Sequence, residues 1–311
     1  MLSNTKSLAG GPASYAFGPG RNRGRRRQAL GATSVRVHHL NCGSLDAPLG
    51  VALFGNGGLL RPAWVVTHCL LVESDAGLLL VDTGIGTRDV VAPTSFVRLM
   101  LALGGAHRKL EETAVKQVES LGYRSDDVRH IALTHCHYDH SGGLPDFPQA
   151  QVHIYRDEYE AVTDPQDVTE RLPYRAEHWS HGPRWVIHDV EGEKWFGFDC
   201  TAPVGLGSTE FRFVPLPGHT RVHCAVALRL DDGWLLHCGD AYTFHGEVDP
   251  DNPRRAPYQR LLRPIFNINK AFRRIGIHSS RLRTLLQRHG DEVQLTCSHD
   301  PVELERFAPD S

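Results

Sequence analysis

The chain has 311 residues, 41% of them hydrophobic, and a formal net charge of -2, which allows a sizeable core in one large domain or two small ones. That charge balance argues against a nucleic-acid partner, and no uninterrupted apolar run is long enough to span a membrane. The seven cysteines, Cys42, Cys69, Cys136, Cys200, Cys224, Cys238 and Cys297, form no C-x-x-C pair and are odd in number, which argues against a disulfide framework and for a reducing, cytoplasmic setting.

Residues 1–34 differ from the rest, being rich in Gly, Pro, Ser and Arg, with "GRNRGRRR" at 20–27 and no acidic residue before Asp46. No apolar stretch resembles a secretory signal, so a disordered basic tail is expected there, with residues 35–311 forming a single α/β domain. Order is expected from "SVRVHHLNCG". "HCLLVESDAGLLLVDTG" (68–84) reads as a β-hairpin turning at Asp75-Ala76-Gly77. "PTSFVRLMLALGG" and "LEETAVKQVESLG" read as helices stopping at glycine. "VRHIALTH" reads as a buried strand, "AQVHIYRDEYEAV" as a strand turning into a helix, and "RWVIHDVEGEKWFGFD" as a second hairpin. "EFRFVPLPGHT" is a strand ending in a loop, and "HCAVALRLDDGWLLHCGDAY" (223–242) a third hairpin. A helix over "SSRLRTLLQRHG", with serine near its N-cap and Gly290 past its end, precedes a last strand, "EVQLTCSHD".

The first and third hairpins share a pattern: His-Cys, an apolar strand, an acidic-glycine turn, a second apolar strand, and an aspartate, Asp82 or Asp240. Such a repeat, with strands and helices alternating in each half, predicts a layered α/β architecture.

The run "LTHCHYDHSGG" carries His135, His137, Asp139 and His140. Imidazole nitrogen and carboxylate oxygen suit borderline divalent metals. In an extended segment His135 and His137 point the same way and can grip one ion. Asp139 and His140 follow after a turn and face elsewhere, so two adjacent ions suit the spacing better than one. Further donors stand at later strand ends: His219 in "LPGHT", Asp240 in "HCGDA" and His299 in "TCSHD".

"THCHYDHSGG" resembles the signature of the metallo-β-lactamase-fold hydrolases, and the resemblance covers about residues 35–307. It implies an αββα sandwich of two similar halves with a dinuclear metal site at one sheet edge. It also implies that His135, His137 and His219 hold one metal, that Asp139, His140 and His299 hold a second, and that Asp240 bridges them. Asp82 in "LLLVDTG" matches the family's structural aspartate, which orients ligands. The cofactors implied are two divalent ions, zinc first, with manganese, iron or cobalt as alternatives. One departure is Val222 in "PGHTRVH", where many relatives carry a small residue.

Two such ions can share a hydroxide that attacks an electrophilic carbon or phosphorus, with Asp139 passing a proton to the leaving group. The intact Asp240 and His140 argue against a β-lactamase, the charge balance against a nuclease, and the absence of a flavin domain against the di-iron flavoproteins. The layout between His140 and His219 and over 253–290 resembles the quorum-quenching acyl-homoserine lactonases, so a small lactone or ester is the expected substrate, and a homodimer the expected assembly. In those enzymes a tyrosine follows the bridging aspartate, which makes Tyr242 a catalytic candidate. The alternatives are a thioesterase similar to glyoxalase II, with Arg273, Arg274, Arg281 and Arg283 as a basic patch, a phosphotriesterase, and a metal-binding protein without turnover. "WFGF" at 195–198 is expected in a hairpin core, and His38, His39, His68 and His223 in packing or surface positions.

Overall fold

Strict alternation in two hairpins sorts the core into layers. In strand β2 (Ala63–Ser74) and strand β3 (Gly77–Val81), Leu70, Val72, Leu79 and Val81 pack into one cluster, and Leu71, Leu78 and Leu80 into another. In β11 (Cys224–Leu230) and β12 (Gly233–His237), Cys224, Val226, Leu228 and Leu235 enter the first of those clusters, while Ala225, Ala227 and Leu236 enter a third. Strands this apolar, buried on both faces, belong in the middle of a layered fold. The computed structural model describes residues 35–48, 62–166, 168–254 and 269–307, the side chains of 169 and 269–276 excepted. The basic tail expected over 1–34 and the segment 255–268 lie outside the described residues.

Two sheets result. The first has the order β1 (Arg36–Ala47), β2, β3, β4 (Val128–Ala132), β5 (Gln151–Tyr155), β6 (Arg184–His188). It is antiparallel from β1 to β3 and parallel from β3 to β6. The second has the order β13 (Val293–Thr296), β12, β11, β10 (Glu210–Pro215), β9 (Val204–Gly205), with only β12–β13 parallel. Their facing sides share the central cluster, in which Phe211 and Phe213 meet Leu70 and Leu79. Helix α3 (Ala114–Ser120), through Val115 and Val118, and α5 (Arg156–Thr163), through Ala161, cover the outer face of the first sheet. Helix α7 (Asn269–His289) covers the second through Leu282 and Leu285. The architecture is the αββα sandwich implied by the sequence. The repeat is real as well: each hairpin delivers its second strand to a parallel partner, β3 to β4 and β12 to β13.

Two expectations need correction. "RWVIHDVEGEKWFGFD" is not one hairpin: β6 joins the first sheet in parallel with β5, and the hairpin is β7 (Val190–Trp195) with β8 (Phe198–Thr201). The cause lies in its turn, where Phe196 and Gly197 both have positive φ (46° and 82°), the conformation that matches the twist of flanking strands. Its Trp195 and Phe198 are buried as expected. The helix expected to begin near Ser279 is already formed at Asn269, the first described residue of that stretch; Ser279 and Ser280 lie inside it, where the Ser280 carbonyl accepts from Thr284 Oγ1 at 3.1 Å. All seven cysteines are free and buried. Among the described residues no helix is long and apolar enough to cross a membrane.

Candidate metal centre

The loop after β4 is shaped by what lies under it. Asp82, at the end of β3, has φ +57°, a conformation unfavourable for a non-glycine residue by about 1–2 kcal/mol. It is held there by three donors: Thr134 N–H and Oγ1–H to Oδ1 and Oδ2, both at 2.8 Å, and His140 Nδ1–H to Oδ2 at 2.9 Å. The next residue, Thr83, donates both its N–H and its hydroxyl to the His140 carbonyl, at 2.8 and 2.9 Å. Side chains at Gly86 and Gly142 would overlap the facing backbone, so glycine lets these two loops close on each other.

Three overlapping groups of donors gather above: His135, His137 and His219; His135, His140 and Asp240; Asp139, His140 and His299. Within each the ligand atoms lie within 4.8 Å of one another. All seven ligands expected from the sequence are brought together. Asp240 sits at the centre, with Oδ2 3.1 Å from His219 Nε2 and 3.3 Å from His299 Nε2, and Oδ1 3.4 Å from His140 Nε2. Asp139 is the most open carboxylate, its side chain 15% exposed, with Oδ2 3.7 Å from His299 Nε2.

The far side of three of the rings is committed. His135 Nδ1 meets Thr134 Oγ1 at 3.1 Å, His140 Nδ1 donates to Asp82, and His299 Nδ1 donates to the Val66 carbonyl at 2.9 Å. This fixes the tautomer that leaves Nε2 as a lone-pair donor. His135 Nε2, His140 Nε2 and Asp240 Oδ1 are buried and make no hydrogen bond. Orphaned buried acceptors are rare, and here they converge, which fits bound cations.

Electrostatics divide the cluster. Burial, then the neighbouring imidazoles, hold His135 and His137 well below the usual histidine range. Burial also works to lower His140 and His299, but the Asp240 and Asp139 carboxylates outweigh it, taking His140 well above its ordinary value and His299 up to about 9. Asp240, despite a burial effect in the opposite direction, is held well below the carboxylate range by His299, His140 and His219. The donor set therefore attracts positive charge, with His135, His140 and Asp240 buried and His219 and Asp139 on the open side.

Supporting contacts that the sequence reading missed lie one layer down. His223, expected to be a packing or surface residue, is fully buried. Its Nδ1–H donates to the Leu216 carbonyl at 3.2 Å, and its Nε2 accepts the Asp240 N–H at 2.9 Å. A side chain on Gly239 (φ +52°) would stand 2.5 Å from His223 Nε2, so glycine is needed beside the bridging position. His68, the matching histidine of the first hairpin, is also buried; its N–H donates to the Ser298 carbonyl at 2.8 Å, beside His299. The shared His-Cys start of the two hairpins was the available signal. Glu158, on α5, accepts the Cys136 N–H at 2.8 Å and the Thr220 hydroxyl at 3.3 Å. It thereby ties the loops carrying His135, His137 and His219. Burial pushes its carboxyl up to about 7 against those hydrogen bonds. Val222 closes the "PGHTRVH" turn by burial among the first-sheet core, its N–H donating to Thr220 Oγ1 at 3.4 Å.

Tyr242 does not stand with the ligands. Its hydroxyl donates to Glu303, 3.0 and 3.1 Å from the two oxygens, and its ring packs in the cluster of Leu282, Leu295 and Cys297. The hydroxyl is thus engaged by Glu303 and not by the donor cluster. Of the arginines considered as a basic patch, Arg281 stacks on Phe198 and Arg283 donates to the Glu247 carbonyl at 2.7 Å; the side chains of Arg273 and Arg274 lie outside the described residues. A cavity of about 420 Å³ opens beside His137 and His219.

Residues 62–274 match the family model of the Metallo-beta-lactamase superfamily. The chain is 40% identical over 278 residues to Rv2300c of Mycobacterium tuberculosis, described as a "probable metallo-hydrolase", covering 89% of this chain and 84% of that one. It is 25% identical over 276 residues to the N-acyl homoserine lactonase AttM of Azorhizobium caulinodans, covering 86% and 94%. In fold it is similar to a mutant of B. thuringiensis AiiA with N-decanoyl-L-homoserine bound at its active site, with a TM-score of 0.62 and 19% identity over 89% of this chain and 98% of that one. With the family model spanning most of the sandwich and the donor cluster at its edge, this chain belongs to the metallo-beta-lactamase superfamily.

Proposed function

We propose that this hydrolase opens the ester bond of a small lactone, an N-acyl homoserine lactone being the leading candidate, with two divalent ions held by seven side chains. In this reading His135, His137 and His219 hold one ion, Asp139, His140 and His299 the other, and Asp240 lies between. The observation that carries it is the position of Asp240, whose two oxygens are within 3.4 Å of nitrogens from both ligand groups. Zinc is the ion expected from an imidazole-rich donor set.

When bound, the ions supply Lewis acidity toward the ester carbonyl and activate a water at neutral pH. The chain's own residues do the rest. Asp82, Thr134 and the Val66 carbonyl keep the ligand rings in one tautomer. Burial excludes bulk water from His135, His140 and Asp240. Asp139 is assigned the transfer of a proton to the leaving alkoxide, a role its partial exposure supports. The similarity to AttM over most of both chains supports lactone over thioester, and the engagement of Arg281 and Arg283 leaves less of a basic patch for a glutathione moiety.

The test is a side-by-side assay of the zinc-loaded protein on N-acyl homoserine lactones, S-lactoylglutathione and a phosphotriester. The highest kcat/KM is expected on a lactone. A preference for the thioester would overturn the assignment, and two bound metals with no turnover of any of the three would favour a binding protein.

A further inference from the structure

Among the described residues, the cavity beside His137 and His219 has polar and charged side chains in its wall. Apart from the proposed ligands, the described residues that line it are Gln166, Glu170, Pro173, Tyr174, Thr220 and Arg221. Arg221 stands two residues after the ligand His219. Its Nε donates to Glu170 Oε1 at 2.7 Å, while Glu170 Oε2 accepts the Gln166 N–H, also at 2.7 Å. The guanidinium is thus anchored by one edge, with its side chain 36% exposed against 13% for Glu170. Among the described residues, nothing accepts from its two terminal amino groups.

A guanidinium presents its donors in a rigid planar fork. A bare hydrocarbon laid against that fork removes water and returns no acceptor, a loss charged groups feel strongly. An oxygen acceptor on the substrate replaces the lost water. Glu170 already offsets the charge, so the fork calls for acceptor atoms rather than for a full negative charge.

We infer that Arg221 is a specificity-determining residue, and that the site selects substrates whose acyl part carries an oxygen acceptor over those with a plain alkyl chain. The inference rests on the hydrolase reading, within which it names the substrate class.

The experiment uses matched pairs, hexanoyl and its β-keto counterpart, in both lactone and thioester form, with the metal-loaded wild type and Arg221→Leu. The wild type is expected to favour the β-keto member by about tenfold in kcat/KM, mostly through KM. Arg221→Leu is expected to lose that preference while Arg221→Lys, which retains donors, keeps part of it. Calorimetric binding of the two ring-opened lactone products to the wild type reads the same preference without a variant, and tighter binding of the β-keto product is expected. Equal treatment of each pair by the wild type, or a preference that survives Arg221→Leu, overturns the inference while leaving the hydrolase reading intact. No hydrolysis in either bond class overturns both.

Discussion

Asp240 is the residue on which the proposed two-metal site turns, because it brings carboxylate oxygens within 3.1–3.4 Å of His219, His299 and His140. Asp240→Ala is expected to lower metal content and to reduce kcat/KM by more than the ~100-fold that loss of a supporting contact brings. Elemental analysis and turnover on the same preparation check it; full activity with two metals bound would contradict the central role. Asp82 is such a supporting contact. Asp82→Asn tolerates the positive φ but removes the carboxylate facing Thr134 and His140. A fall in metal affinity of about 10–100-fold is expected, read by competition with a chromogenic chelator. Unchanged affinity would mean that Asp82 serves only the backbone. The donor cluster was legible because four of its residues lie within six consecutive positions. Asp82, Glu158 and His223 reach the site from elsewhere in the chain. A lone Glu158 in an α-helical stretch carries no mark that it will receive the Cys136 N–H, 22 residues away.

At the scale of elements, α5 and α8 (Pro301–Glu305) play matching parts. Each lends a buried glutamate to the backbone N–H of a cysteine beside the ligands: Glu158 to Cys136, and Glu303 to Cys297 at 2.7 Å. Burial raises both carboxyls, from 4.5 to about 7. A carboxyl with a raised folded-state value binds a proton more tightly in the folded chain. Its contribution to stability is therefore full below about pH 4.5 and is lost as pH rises through 7, at up to about 1.4 kcal/mol per unit for each group. Glu158→Gln removes one of these titrations. Its unfolding free energy, followed by denaturant titration from pH 4.5 to 7.5, should gain on that of the wild type as pH rises; parallel profiles would contradict the assignment. Element type was largely readable from apolar periodicity and glycine stops, as in the helices that end just before Gly104 and Gly122. Partners were not. Nothing local in "RWVIH" says that it pairs with β5 rather than with the strand after it, because that choice depends on α5 carrying the chain across the sheet.

For the whole molecule, the site is a joint between two sheets. His135, His137, Asp139 and His140 follow β4 of the first, while Asp240 and His299 follow β12 and β13 of the second. Metal binding should therefore stabilise the assembly of both halves, by about 2.7 kcal/mol when free metal exceeds Kd a hundredfold. Removing metal with a chelator is expected to lower the melting temperature of the wild type and to change that of Asp240→Ala little. An equal shift in both would place the stabilising metal elsewhere. None of the seven proposed donors lies within residues 1–30, so their removal is expected to leave metal content and turnover as they are.

By itself the sequence determined the metal-binding chemistry, the family resemblance, the layered α/β class and the duplicated hairpin, because each is written in short-range spacing of apolar and donor residues. Only the tertiary structure decided that Tyr242 is spent on Glu303, that His223 holds the Asp240 backbone, and that Arg221 walls the cavity with Glu170. Those outcomes turn on which side chains meet across separate strands and loops. That is a matter of packing and of satisfying buried polar groups, and no local pattern encodes it.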